Sequence, residues 1–210
     1  MAYIVGFFAA DGYLTSNKRG AQFWSIQITD RYILEKIRKY IQSEHKLGVR
    51  KSLKGYATIY RLQIGSKEMC ADLNKLGFVP RKTKNLAVPS VPDKFFSDFV
   101  RGYFDGDGNV WVGDLNKHRK NPVRAIQTSF TSCSGSFLYS FLERLRLAGI
   151  SGGSVHESKQ NYSRLNLSIR DSLKLYEFMY NQPYLEKTGL FLKRKRQVFE
   201  RYIKESDRGR

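Results

Sequence analysis

The chain has 210 residues, enough for one large domain or two small ones packed together at ~150 residues per domain. Lys and Arg total 37 against 19 Asp and Glu, a formal charge of +18, and 41% hydrophobic residues exclude wholesale disorder. Two cysteines and three scattered histidines exclude a disulfide framework and a zinc cluster. No apolar run nears the ~20 residues of a membrane span, and the first residues, Met1 to Gly6, lack the basic flank and cleavage site of a signal peptide. A folded, intracellular protein is expected. Its charge exceeds the ~2–8 that solubility needs, which points to a polyanionic partner, most commonly nucleic acid.

In chain order, Ile4, Phe7 and Phe8 mark an apolar helix that carries Gly6 in its middle and ends on Asp11-Gly12. Phe23 to Asp30 alternates as a strand, and Ile33, Leu34, Ile37 and Ile41 recur at helical spacing, with Asp30 as N-cap and Gly48 as terminator. Thr58 to Ile64 alternates again, and a short helix starts near Ser66. The link from Val79 to Pro92 holds Pro80, Pro89 and Pro92, and it marks a boundary. The halves are expected at 1–88 and 89–210.

Beyond the link the pattern starts again. Val100–Gly108 (VRGYFDGDG) matches Ile4–Gly12 (IVGFFAADG) position by position, offset by 107 − 11 = 96 residues. Val123 to Ser132 corresponds to the Phe23 strand, with Gln127 matched to Gln27 at an offset of 100. Phe137, Leu138, Phe141, Leu142 and Leu145 form a helix that Ser134 or Ser136 caps and Gly149 ends. Tyr162 to Leu167 resembles Thr58 to Ile64, aligning Arg164 with Arg61 at an offset of 103, and a short helix follows near Asp171. The fold class is α+β, with αββαββα written twice. From Lys193, a basic amphipathic helix with Val198, Phe199 and Tyr202 is expected to pack on the second half. Trp24 and Trp111 are read as core.

Gly6 and Gly102 each cost roughly 1 kcal/mol against Ala in mid-helix, so their recurrence implies close approach of two backbones, each helix being the other's partner. Gly12 and Gly108 read as left-handed stops. Asp11 and Asp107 then face the negative ends of their helix dipoles and, across a pseudo-twofold axis, each other. Such an arrangement costs stability unless a cation sits there. The main-chain carbonyls of Ala10 and Gly106 add oxygen donors, and hard oxygen ligands suit Mg²⁺. Divalent metal between carboxylates can activate water against a phosphodiester. Asp105 has Ala9 as its counterpart and is given no direct catalytic role.

The paired segments resemble the motifs of the LAGLIDADG homing endonuclease family in its single-chain, two-motif form. The resemblance implies a monomer with two halves joined along the motif helices, each presenting an antiparallel sheet as part of a DNA-binding saddle. It implies a Mg²⁺-dependent double-strand cut with short 3′ overhangs at a long asymmetric site in intron homing, with Mn²⁺ or Ca²⁺ able to substitute in binding. Carried over residue by residue, Asp11 and Asp107 hold the metal, helped by Ala10 and Gly106. Gln27 and Gln127 take the polar role, and Lys82 and Lys195 the basic role, with Lys193 and Lys187 as alternatives. Ala9 departs from the family's commoner acidic residue but leaves the last aspartate in place.

With Leu62, Ile64, Leu165 and Leu167 facing inward, Arg61, Gln63, Arg164, Asn166 and Ser168 face outward. Such side chains suit base edges in the major groove. Asn17, Lys18, Arg19, Gln22, Arg50, Lys54, Asn116, His118, Arg124, Ser129, His156 and Gln160 complete the candidate set, and the basic loop from Asp114 to Asn121 extends it. The competing reading is a non-cleaving binder of the same fold, an intron RNA maturase or a DNA-binding regulator. Retention of both aspartates favours the nuclease. An endonuclease embedded in an intein is not expected, since a flanking splicing domain does not fit within 210 residues.

Overall fold

A computed structural model describes residues 1–51, 57–80, 86–116, 118 and 120–208, with 207 and 208 described by backbone alone. The first repeat runs α1 (Ala2–Asp11), β1 (Gly12–Ser16), β2 (Gln22–Ile28), α2 (Arg31–Tyr40), β3 (Gly48–Arg50), β4 (Ile59–Gly65) and α3 (Lys67–Lys75). The second runs α4 (Phe96–Asp107), β5 (Gly108–Leu115), β6 (Val123–Ser132), α5 (Gly135–Leu147), β7 (Ser154–Glu157), β8 (Ser163–Leu167) and α6 (Ile169–Tyr180). Two further helices follow, α7 (Leu185–Thr188) and α8 (Lys193–Arg208). Each repeat builds a four-stranded antiparallel sheet in the same order, β1-β2-β4-β3 and β5-β6-β8-β7.

Strand alternation places the core as the sequence predicts. Leu62, Ile64, Leu165 and Leu167 are buried against the helices, while Arg61, Arg164 and Asn166 are exposed on the other face. In the second half an aromatic cluster does most of the filling. Phe141 contacts Phe96, Phe99, Tyr103, Phe130 and Phe137 with ring centroids 5.0–6.4 Å apart. Helix α8 seats Phe199 against Phe104, Tyr176 and Tyr180. It also reaches the first repeat, where Arg194 pairs with Asp30 at 3.0 Å and Lys193 lies over the ring of Tyr32.

The two motif helices pack against each other, and the glycines permit it. A Cβ on Gly6 would lie 2.0 Å from the carbonyl oxygen of Phe99, and one on Gly102 would lie 2.0 Å from that of Tyr3. Tyr3 and Phe99 are themselves 96 residues apart, so the contact is pseudo-twofold.

Several local expectations need correction. Gly12 and Gly108 are not left-handed; both are extended, with φ −85°. Glycine is required for space, because a Cβ would fall 2.1 Å from the Phe8 ring or 2.2 Å from the Phe104 ring. Gly48 opens β3 instead of ending α2, and Gln42, at φ +55°, makes the left-handed turn after α2. Asp30 precedes α2 without capping it, its carboxylate being taken by Arg194, whereas Ser134 does cap α5. Trp24 is core, but Trp111 is 40% exposed on the outer face of β5.

Candidate active site and nucleic-acid interface

Because each motif helix runs straight into the first strand of its sheet, Asp11 and Asp107 end up side by side at the helix pair's C-terminal end. They line one cavity of about 400 Å³, together with Ala9, Ala10, Gly12, Tyr13, Tyr103 and the end of β6 from Thr131 to Cys133. Both carboxylates are half-buried. Their closeness is visible in Tyr103, whose phenol is pushed well above its usual range by burial, then by the charges of Asp107 and Asp11. Gly106 sits against Ala10, where a Cβ would be 2.3 Å from that of Ala10 and 3.1 Å from a carboxylate oxygen of Asp11. Asp11 and Asp107 bring carboxylate oxygens to the cavity, hard donors that fit a divalent cation of the Mg²⁺ or Ca²⁺ kind, whereas the Gly106 carbonyl accepts from Lys195. Among the described residues no group of three or more His, Cys, Asp or Glu comes together, so such a cation would draw its other ligands from water or a bound phosphate.

Lys195 reaches the same region from α8, but from beneath. It is 7% exposed, and its ammonium donates to the carbonyls of Phe104 at 2.6 Å, Asp105 at 2.8 Å, Gly106 at 3.3 Å and Gly108 at 2.5 Å. It therefore donates to the carbonyls that end α4 and sets a positive charge against the negative pole of that helix. Burial lowers its pKa to about 8, against the opposing pull of the Asp105, Asp11 and Asp107 charges.

Asp105 is fully buried, accepting from the Tyr3 hydroxyl at 2.7 Å and the Leu192 amide at 2.8 Å. Burial raises its pKa to about 6, offset by the Tyr3 hydrogen bond and the Lys195 charge. It ties α1, α4 and the start of α8 together. Arg101, 1% exposed, acts likewise on the far side, donating to the carbonyls of Leu190 and Met179 and pairing with Asp98. The sequence carried a signal for both: they are charged residues on an apolar helix where the first motif has Val5 and Ala9.

Gln27 and Gln127 are not counterparts. The registers Gly12–Ile26 and Gly108–Phe130 match Gln27 with Thr131, an offset of 104, and leave Gln127 matched with Phe23. Gln27 donates to the Tyr13 hydroxyl at the cavity's edge, whereas Thr131 lines the cavity itself. Arg61 and Arg164 are true counterparts, opposite Gln27 and Thr131.

The outward faces of the sheets gather many of the other candidates. Gln27, Arg50 and Arg61 line a groove on the first sheet. Asn109, Trp111, Gln127, Ser129, Arg164 and Asn166 line one on the second, with His156 opposite Arg164 on β7. Gln63 lies opposite Ser25 and is half-buried. Asn17 holds the β1–β2 turn, its amide oxygen accepting from the backbone of Arg19 and Ala21, which leaves Lys18, Arg19 and Gln22 exposed. Asn116, at φ +54°, begins the β5–β6 turn that exposes His118, and Gln160 is exposed between β7 and β8. Arg124 is tied to Asp114 and Glu205. Lys187 lies exposed on α7 and Lys193 opens α8. Lys54 and Lys82 lie outside the described residues.

This arrangement is that of a two-motif LAGLIDADG fold, and residues 1–77 match the family model described as a LAGLIDADG-like domain. Over nearly the whole chain the fold is that of single-chain LAGLIDADG meganucleases. The crystal structure of the LAGLIDADG meganuclease I-AabMI bound to uncleaved DNA superposes with a TM-score of 0.63 at 15% identity, covering 98% of this chain and 89% of that one. I-LtrWI, a LAGLIDADG homing endonuclease bound to target DNA, gives 0.61 at 14% identity over 98% and 89%. I-SmaMI, bound to uncleaved DNA with calcium ions, gives 0.60 at 12% over 97% and 89%.

Two curated relatives are similar over shorter stretches. "DNA-directed RNA polymerase subunit Rpo1C" of Methanocaldococcus jannaschii is 33% identical over 114 residues, 51% of this chain and 12% of the relative. "Probable translation initiation factor IF-2" of Thermococcus kodakarensis is 32% identical over 133 residues, 61% of this chain and 10% of the relative. The chain thus spans about a tenth of their length. No helix among the described residues is long and apolar enough to cross a membrane.

Proposed function

We propose that the protein is a site-specific DNA endonuclease that acts as a monomer, cutting both strands of a long asymmetric target with Mg²⁺ and leaving short 3′ overhangs. The observation that carries this reading is the meeting of Asp11 and Asp107, one from each repeat, in a single cavity where each motif helix runs into its own sheet. A binder that does not cut has no use for two carboxylates at negative helix poles beside a polyanion. A divalent cation held by Asp11 and Asp107, with Ala10 beside them in the cavity, would supply an activated water and a counter-charge at the phosphodiester.

The chain's own residues do the rest. Arg50, Arg61 and Arg164 neutralise phosphates or read guanine, and Gln63, Ser129, His156 and Asn166 meet base edges. Gln27 and Thr131 stand at matched places near the cavity, suited to orient water or a phosphate oxygen. Lys195 holds the C-terminal carbonyls of α4 so that Asp107 keeps its place. Likeness to a small part of two proteins whose names share no activity supports a module that works independently of its surroundings.

Selection of cleaved sites from a randomised duplex pool with Mg²⁺, run beside an EDTA control, tests the reading. Enrichment of one long site only with Mg²⁺ is expected. Enrichment by binding alone, or of intron RNA in a parallel pool, would replace it with the maturase or regulator reading.

A further inference from the structure

Trp111 stands out on the polar face of the second sheet. It is 40% exposed on β5, lies opposite Gln127, and shares a groove with Ser129, Arg164 and Asn166. Two residues further along the strand, Gly113 makes room for it: a Cβ there would lie 2.2 Å from Cζ2 and 2.7 Å from Cη2 of the indole. The ring therefore lies down along the strand, turning a broad apolar surface outward among hydrogen-bonding neighbours. The chain's other tryptophan, Trp24, is buried in the core. An indole left in water on this face recovers its hydrophobic stabilisation only when something apolar covers it. Of the groups that duplex DNA shows in the major groove, the apolar one is the C5-methyl of thymine.

We propose that Trp111, laid flat over Gly113, packs against one thymine methyl of the target and so determines specificity at that base pair. The inference rests on the DNA-binding reading above and goes beyond it by naming the contact. The neighbouring Gln127 and Asn166 can read base edges by hydrogen bonds, and Trp111 offers them an exposed apolar neighbour, whereas Leu167 and Thr128, which also line the groove, are buried.

The experiment takes the full-length protein and its selected target, and replaces each thymine in the half facing the second sheet by uracil, which removes the methyl and nothing else. Binding is measured in Ca²⁺ for the wild type, Trp111→Ala and Gly113→Ala. The wild type is expected to lose about fourfold at one position, the factor one buried methyl is worth. Trp111→Ala should bind thymine and uracil there equally, and its selected profile should flatten at that position alone. Gly113→Ala, which displaces the ring without removing it, should shrink the same penalty. Uracil tolerated by the wild type at every position would overturn the proposal. So would a penalty that survives in Trp111→Ala, or a loss spread evenly over all sequences. Failure to bind any duplex DNA is a different result, for it removes the endonuclease reading itself and this inference with it.

Discussion

A methyl group on Gly102 would sit 2.0 Å from the carbonyl oxygen of Tyr3, nearer than any real carbon–oxygen contact. The obstacle is main chain on both sides, so no side chain can turn away to relieve it. Gly102→Ala must push α1 and α4 apart, and the helix pair is what brings Asp11 and Asp107 into one cavity. We expect a loss of about 3 kcal/mol or more, the upper end for overpacking a core, measured by urea unfolding. Gly6→Ala, which meets Phe99 at the same distance, should cost nearly as much. Unequal costs would show that the seam is not pseudo-symmetric in solution.

Asp105 makes the stability depend on pH in an unusual direction. Its carboxyl has a pKa of about 6 in the folded protein, raised by burial, against 3.8 as the ordinary value. Between those values the folded state holds more protons than the unfolded one, so stability from this group is fully present below pH 3.8 and falls as pH rises to 6. The expected change is about 1–3 kcal/mol. Comparison of Asp105→Asn with the wild type at pH 4 and pH 7 isolates it: the wild type should lose ground relative to the variant on going to pH 7. A constant difference between the two proteins would contradict this.

The repeat, both sheets and the pairing of the motif helices are legible in the sequence because each rests on a periodicity or on a glycine in an unlikely place. The convergence of Asp11 and Asp107 follows from the same pairing. What the sequence hides is register and depth. Gln27 and Gln127 look equivalent because both follow isoleucine, yet the ladders shift the second strand by four residues and put Thr131 in that place. Lys195 looks like one more member of a basic run, and only the packing of Phe199 on Phe104 turns it under the end of α4. Trp111 alternates like a core residue, but its own strand faces it outward.

Lys195→Met should behave as the loss of a helix cap rather than of a phosphate contact. Removing the ammonium takes a donor from the carbonyls of Phe104, Asp105, Gly106 and Gly108, of which Phe104 keeps the Gly108 amide, and leaves Asp105 with less compensating charge. A cost of about 1–3 kcal/mol is expected, as for leaving buried carbonyls without a donor. The slope of log K against log salt for DNA binding should stay at the wild-type value. A residue that touched a phosphate would lower its magnitude by ~0.9. A changed slope with unchanged stability would return Lys195 to the DNA surface.

Asp11→Asn and Asp107→Asn separate binding from cutting. Each substitution keeps the shape of the cavity and removes one negative charge from a place where a phosphate has to come close. Without divalent metal, the carboxylates only repel DNA, so in EDTA each variant should bind the selected target as tightly as the wild type or more tightly, as gel-shift titration will measure. With Mg²⁺ the order should reverse for cleavage. Because the two aspartates share one cavity, loss of either should abolish the double-strand break rather than halve it. Linear product formed by either variant at the wild-type rate would show that the meeting of these residues has no part in the chemistry.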